Sequence, residues 1–246
     1  MFQQVCHFDI NIPQWKIVCN KVLSPEDWRS SISHWVKSSA LWPDFSPKLE
    51  FLSPLKRRRL SESARLFFAA AWELTERQSD LPVVYASFNG EINRNFSLWL
   101  SLLEDNEISP TSFSLSVHNA LVGQWSELRR VKNEVTALTA RCDNLEIALM
   151  EAYLMLQERY DKVLVVVAES PLKLEYNAYP VIRQPFSYAL ALIVEQGDQY
   201  RLTCCTEKCA DSQIDNALTW VRNQYATVNR WSTPSSAGGH WLWQKN

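Results

Sequence analysis

The chain has 246 residues, 46% of them hydrophobic and 21% charged, with a formal net charge of −2. That size and composition suffice for a sizeable core, and the charge gives no whole-chain footprint for nucleic acid or a membrane surface. Only five glycines occur, at Gly90, Gly123, Gly197, Gly238 and Gly239, which leaves no glycine-rich phosphate cradle of the P-loop or Rossmann type.

In chain order, residues 3–12 read as a first strand, with Val5, Cys6 and Phe8 available for burial. Residues 1–20 contain Asp9 and Lys16 and no apolar core of signal-peptide length. A cytoplasmic location is therefore expected, and with it free thiols at Cys6, Cys19, Cys142, Cys204, Cys205 and Cys209. Ser24-Pro25-Glu26-Asp27 marks a helix start, with proline at the first helical position and acids in the first turn. Ser61 is placed to cap a second helix, whose Ala64, Phe67, Phe68, Ala71 and Leu74 keep helical spacing. Residues 81–87 form a short apolar strand, and Val117, Ala120, Leu121 and Gln124 suggest another helix.

Residues 135–138 read as a strand and residues 143–159 as a helix bearing Leu145, Ala148, Leu149, Ala152 and Leu156. The β-branched run in 162–168 predicts a buried strand. Residues 188–194 and 200–206 flank Gly197 in the pattern of a hairpin. A last helix shows one apolar face at Ile214, Leu218, Val221 and Tyr225. The longest apolar runs are strand-sized, far short of a bilayer span. Strands alternating with helices imply an α/β sheet with parallel pairing, closed by an antiparallel hairpin at one edge. The most linker-like stretch is 232–239, so one domain over residues 1–230 and a loose tail over 231–246 are expected. Eleven tryptophans is a high count, and exposed aromatics tend to mark interfaces.

Three stretches carry a family resemblance. They are Leu55-Lys56-Arg57-Arg58-Arg59-Leu60-Ser61, Val84-Tyr85-Ala86-Ser87-Phe88-Asn89-Gly90-Glu91, and the run from Ser109-Pro110 through Ser116-Val117-His118-Asn119-Ala120-Leu121-Val122-Gly123 to Ser126. With the order of elements between them, over roughly residues 45–200, they resemble the N-terminal domain of β-ketoacyl synthases. The resemblance is closer still to the short ketosynthase-like chain-length factors of aryl polyene biosynthesis. It implies the N-terminal half of a thiolase-like fold, with helices packed on a five-stranded mixed sheet. In full ketosynthases a second half supplies two catalytic histidines, and this chain ends before such a half could fit.

Ketosynthases use a cysteine thiolate at the N-terminus of a buried helix, where backbone amides lower its pKa. Counting back from Leu145 puts Arg141 at that position and Cys142 one residue late. Asp143 places a negative charge beside the thiol, which opposes thiolate formation. Of His7, His34, His118 and His240, only His118 lies in the resembling region. No catalytic residue is therefore assigned. A metal site at Cys204, Cys205 and Cys209 is not expected, because a fourth ligand is missing nearby and adjacent strand residues face opposite ways.

The resemblance implies a non-catalytic subunit that pairs with a catalytic ketosynthase in fatty-acid or polyketide-type chain elongation. Val135, Thr136, Ala137, Leu138 and Thr139 are the expected partner-facing edge, because the matching ketosynthase strand lies at the dimer interface. His118, Asn119, Gln124 and Trp125 are expected to line the contact or the tunnel mouth. The cluster Lys56, Arg57, Arg58 and Arg59 is the candidate docking site for an acidic acyl carrier protein. Arg129, Arg130 and Lys132 form a weaker basic cluster. No cofactor of its own is expected, since phosphopantetheine-linked substrates would be handled through the partner. The alternatives are a minimal condensing enzyme or acyltransferase using Cys142, and a carrier-protein binding module.

Overall fold

β1 (Gln4–Cys19) is followed by α1 (Pro25–Arg29), α2 (Ile32–Ser38), α3 (Pro54–Arg59) and α4 (Glu62–Leu74). β2 (Val83–Ala86) leads into α5 (Ile92–Asp105), α6 (Pro110–Ser114) and α7 (Ala120–Arg129). Next come β3 (Val135–Leu138), α8 (Asn144–Glu158), β4 (Lys162–Glu169) and β5 (Tyr188–Cys205). The chain closes with α9 (Asn216–Tyr225), β6 (Arg230–Pro234) and β7 (His240–Lys245). This computed structural model describes residues 4–176, 185–207 and 215–246; the Cys209 and Ile214 readings lie outside them.

Serines cap α1, α2, α4 and α6. Ser24 accepts from Asp27 N at 3.1 Å while Asp27 Oδ2 accepts from Ser24 N at 2.8 Å, a reciprocal capping box. Ser61 caps α4 through Ala64 N at 3.2 Å, as its position predicts.

The α/β architecture is as expected, but the sheet is larger. Among the described residues it has seven strands rather than five, in the order β3-β2-β4-β5-β7-β6, with β1 alongside β5. β2 runs parallel to both β3 and β4, and β5 is antiparallel to β4. Most of residues 231–246, expected as a loose tail, lie in the β6–β7 hairpin, and β7 pairs with β5 from Tyr200 to Cys205. The local sequence misleads because Ser235, Ser236, Gly238 and Gly239 are only the turn of this hairpin. On either side, Trp241, Trp243 and Thr233 are buried.

The expected hairpin around Gly197 is also corrected. Residues 188–205 form one long strand whose two halves pair with different neighbours: Tyr188–Glu195 with β4, and Tyr200–Cys205 with β7. β1 lies along both halves, and is longer than the expected 3–12. Its register shifts at Ile10/Asn11 and Asn11/Gln14, next to Pro13, which has no N–H to give the ladder. At the shift Gln199 N donates to Asn11 Oδ1 and Ile12 N to Gln199 Oε1, each at 2.9 Å. A Cβ on Gly197 would overlap the Asn11 amide, which explains the glycine. Beyond the shift, Arg201 grips Asp9 with two bonds of 2.8 and 2.9 Å and pins the pairing.

Each face of the sheet carries its own core. On one face α8 and α9 cover Val163, Val165, Val167, Leu190 and Leu192, joined by Trp220, Trp241 and Trp243. On the other, α4 and α7 bring Phe67, Phe68 and Trp125 onto Val83, Tyr85 and Val166. Six of the eleven tryptophans are buried, so their number reflects packing more than surface.

Candidate functional site

The head of α8 is where the resemblance to ketosynthases would place a nucleophile. Arg141 is exposed there, and its backbone N–H is tied to Ser236 Oγ at 3.2 Å. Cys142 is half-buried, with its thiol 3.7 Å from Pro234 O. Burial pushes this thiol above its ordinary value, and Asp143 adds to the rise. The four histidines are engaged elsewhere: His7 with Gln4, His34 beside Asp27, His118 with Leu138 O and His240 with Glu207 O. Among the described residues no histidine is hydrogen-bonded to the thiol, whose nearest polar partners are Pro234 O and Ser236 Oγ.

Behind this position lies a set of buried acids that sequence reading missed. Asp143 accepts from Ser236 N at 3.0 Å and Trp241 Nε1 at 3.1 Å. Glu146 accepts from Thr233 Oγ1 at 2.6 Å, Trp243 Nε1 at 2.9 Å and Asn216 Nδ2 at 3.0 Å. Glu169 accepts from the backbone of Phe88 and Asn89 and from Asn144 Nδ2 at 3.0 Å. Asp215 accepts from Tyr188 OH at 2.5 Å and Ala217 N at 2.8 Å. Burial pushes Glu146 up to about 7 and Asp215 up to about 6. Glu169 rises to about 8, through burial first and neighbouring Asp215 second. Such a site opposes a thiolate rather than favouring one. The available signal was slight: an acid between Leu145 and Ile147, and another ending a β-branched run.

The expected partner-facing residues divide. His118 stands at the end of β3, with Nε2 2.8 Å from Leu138 O and its ring stacked on Tyr85 at 5.3 Å. Gly90, at φ 51°, leaves room for this ring, since a Cβ there would sit 2.9 Å from His118 Nδ1. Thr139 Oγ1 donates to Ser87 O at 2.7 Å, and Asn119 is exposed nearby in sequence. Val135, Thr136, Ala137 and Leu138 are half-buried on an end strand that pairs with β2 alone among the described strands. Gln124 is half-buried and turns back to Ala120 O at 3.4 Å. Trp125 does not line a contact: it is wholly buried among Phe67, Phe68 and Trp72 in the α4–α7 core.

Sequence reading also passed over α5, which buries none of its residues although it is strongly apolar on one side. Trp99 is 66% exposed and Leu103 69%, and Phe113 on α6 is 58% exposed. Residues 96–103 carry Phe96, Leu98, Trp99, Leu100, Leu102 and Leu103, a legible amphipathic signal. Lys56, Arg58 and Arg59 lie exposed on α3, while Arg57 is partly held by Lys48 O at 2.9 Å. A cavity of about 990 Å³ opens beyond the carboxyl ends of β2 and β4, lined by Ser61, Ser63, Glu91, Arg94 and Ser170 among others. Neither Cys142 nor any histidine reaches it. Among the described residues no group of His, Cys, Asp and Glu could hold a metal ion, and no helix is long and apolar enough to cross a membrane.

The β-ketoacyl synthase N-terminal domain family matches residues 30–244. Among curated proteins there is no sequence match. Among solved structures, one chain of the ketosynthase ApeO in complex with its chain length factor ApeC, from Xenorhabdus doucetiae, superposes with a TM-score of 0.81 at 23% identity. The match covers 97% of this chain and 100% of that one. The ishigamide ketosynthase/chain length factor gives a TM-score of 0.57 at 15% identity, over 90% of this chain and 74% of that one. A ketosynthase from module 6 of the bacillaene synthase of Bacillus subtilis gives 0.52 at 13% identity, over 76% of this chain but 36% of that one. These likenesses show the thiolase-like fold, and the extent of the family match shows that the chain belongs to the β-ketoacyl synthase N-terminal domain family.

Proposed function

We propose that this chain is a non-catalytic, chain-length-factor-like subunit that pairs with a catalytic β-ketoacyl synthase in fatty-acid or polyketide-type chain elongation, of the aryl polyene kind. The observation that carries this reading is the head of α8. A family member that condensed acyl groups itself would need a stabilised thiolate and a base, whereas this position holds an exposed arginine, a thiol with a raised pKa and buried acids. The chain also matches, end to end, one chain of a ketosynthase–chain length factor complex.

The pairing face on this reading is the outer edge of β3 with the exposed apolar side of α5 and α6. An unpaired edge strand presents N–H and C=O groups that a second strand can satisfy, and an exposed apolar ridge is a usual mark of an interaction site. Co-expression with a ketosynthase from the same gene neighbourhood should give a one-to-one complex by size-exclusion chromatography with mass determination. Its condensing activity should require this chain and survive Cys142→Ala. Loss of activity in Cys142→Ala would favour a condensing enzyme or acyltransferase, and absence of a complex would favour a carrier-binding module.

Carrier docking on α3 is part of the same proposal. The exposed cations Lys56, Arg58 and Arg59 would steer an acidic carrier protein that delivers phosphopantetheine-linked substrates to the partner. Reversing Arg58 and Arg59 to glutamate should weaken carrier binding by the complex about tenfold or more at low salt, and the difference should shrink at high salt. Equal binding by both forms would remove α3 from the docking surface.

A further inference from the structure

The register of β1 on β5, which shifts between Gln4 and Cys6, sets Cys6 opposite Cys204 and continues in step from there to Ile10. Side chains alternate along a strand, and Cys6 shares its face with Phe8 and Ile10, as Cys204 does with Leu202 and Tyr200. All of these pack on the α8–α9 side of the sheet. Cys205 is opposite Gln4 and points to the other face, so adjacency in sequence does not make it a competitor for Cys6. Residues directly opposite on antiparallel strands stand about 4.5–5.5 Å apart at Cα, within the roughly 4.4–6.8 Å that a disulfide spans. Both thiols are free in this structure. Cys6 is half-buried, while Cys204 is only 9% exposed.

We propose that Cys6 and Cys204 form a redox-sensitive cross-strand staple, closed by exchange with a low-molecular-weight disulfide of the oxidised-glutathione class. Cys6, the accessible thiol, loses its proton and attacks one sulfur of the small disulfide. The S–S bond breaks, a mixed disulfide forms on Cys6, and the first small thiolate leaves and takes up a proton. Cys204 then loses its proton and attacks Cys6 Sγ, forming the protein disulfide and expelling the second small thiolate, which is protonated in turn. Two protein thiols are oxidised by two electrons, and one small disulfide is reduced to two thiols. Exposure sets this order: the deeper thiol is reached only after the shallower one has carried the sulfur in.

The staple would fix the N-terminal strand to β5 across a long loop, where cross-links restrict the unfolded chain most. The purified full-length protein, treated with oxidised glutathione, should yield a Cys6–Cys204 linked peptide in non-reducing mass spectrometry. Its melting temperature should rise by about 5–10 °C, as expected for a cross-link in a chain of this size. Dithiothreitol should reverse the rise, and Cys6→Ser, a change at a half-exposed position that keeps the fold, should abolish it. Reaction that stops at a glutathione adduct on Cys6 would overturn the proposal. So would a link joining Cys204 to Cys205 or Cys209, or an equal rise in Cys6→Ser.

Discussion

A chain truncated after Asn229 is expected to lose its cooperative thermal transition. The deletion removes β6 and β7, and with them Trp241 and Trp243, which are 2% and 0% exposed. Loss of a buried tryptophan side chain alone costs about 3–5 kcal/mol, and domains are stable by only about 5–15 kcal/mol in total. The hairpin does more than fill space. Its indole N–H groups donate to Asp143 and Glu146, and Thr233, Ser235 and Ser236 complete the shells of those two acids. Without it, two carboxyl groups would be left in the interior lacking most of their donors. Circular dichroism melts of the truncated and full chains test this, and a truncated chain that melts sharply near the full-length temperature would refute it. Trp243→Phe separates the two contributions, since it keeps an aromatic ring and removes the donor to Glu146. It should cost about 1–3 kcal/mol.

Stability should also fall as pH rises from about 5 to 8. Glu146, Glu169 and Asp215 have folded-state values raised to about 7, 8 and 6, above their unfolded values. Each binds its proton more tightly when folded, so its stabilising contribution is complete below the unfolded value. That contribution is lost as pH climbs to the folded one, at about 1.4 kcal/mol per pH unit while the group titrates. Asp9, Asp27 and Glu73 are shifted the other way, and lose their contributions only below the interval in question. Urea midpoints measured at unit steps across the range should decline steadily, whereas a flat or rising series would contradict the buried-acid arrangement. Asp215→Asn should flatten the acid end of the decline, because an amide cannot ionise; its oxygen keeps the bond from Ala217 N, while its nitrogen must donate to the Tyr188 hydroxyl instead of accepting from it. It should also lower the Glu169 value by removing its charged neighbour.

Elements whose signals are local were legible in the sequence. α4 and α8 combine helical spacing with a capping serine or a first-turn acid, and β4 is a β-branched run of strand length. Pairing choices were not legible. The two halves of β5 look like a hairpin because apolar runs around a glycine carry no mark of whether they pair with each other or with a third strand. β7 was hidden behind a serine- and glycine-rich turn, although its alternation of Trp241 and Trp243 was there to be read. At the candidate site, the departure from a working nucleophile was legible from Arg141, Cys142 and Asp143. The acids beneath it were not, because Glu146, Glu169 and Asp215 meet only when α8, β4 and α9 are assembled.

The span between β1 and β5 has a consequence for the order in which the molecule takes shape. Among the described strands β1 pairs only with residues 188–205, so during synthesis it lacks that partner until most of these residues have been made. At usual elongation rates the delay is on the order of ten seconds or more. Meanwhile α4, β2, β3, α8 and β4 can assemble around their own near neighbours. The earliest of the described strands is thus among the last to be seated, and its two charged or amide-bearing grips, Asp9 on Arg201 and Asn11 on Gln199, must wait with it. A chaperone or nascent-chain probe directed at residues 4–19 would meet an extended, half-apolar segment for most of that interval.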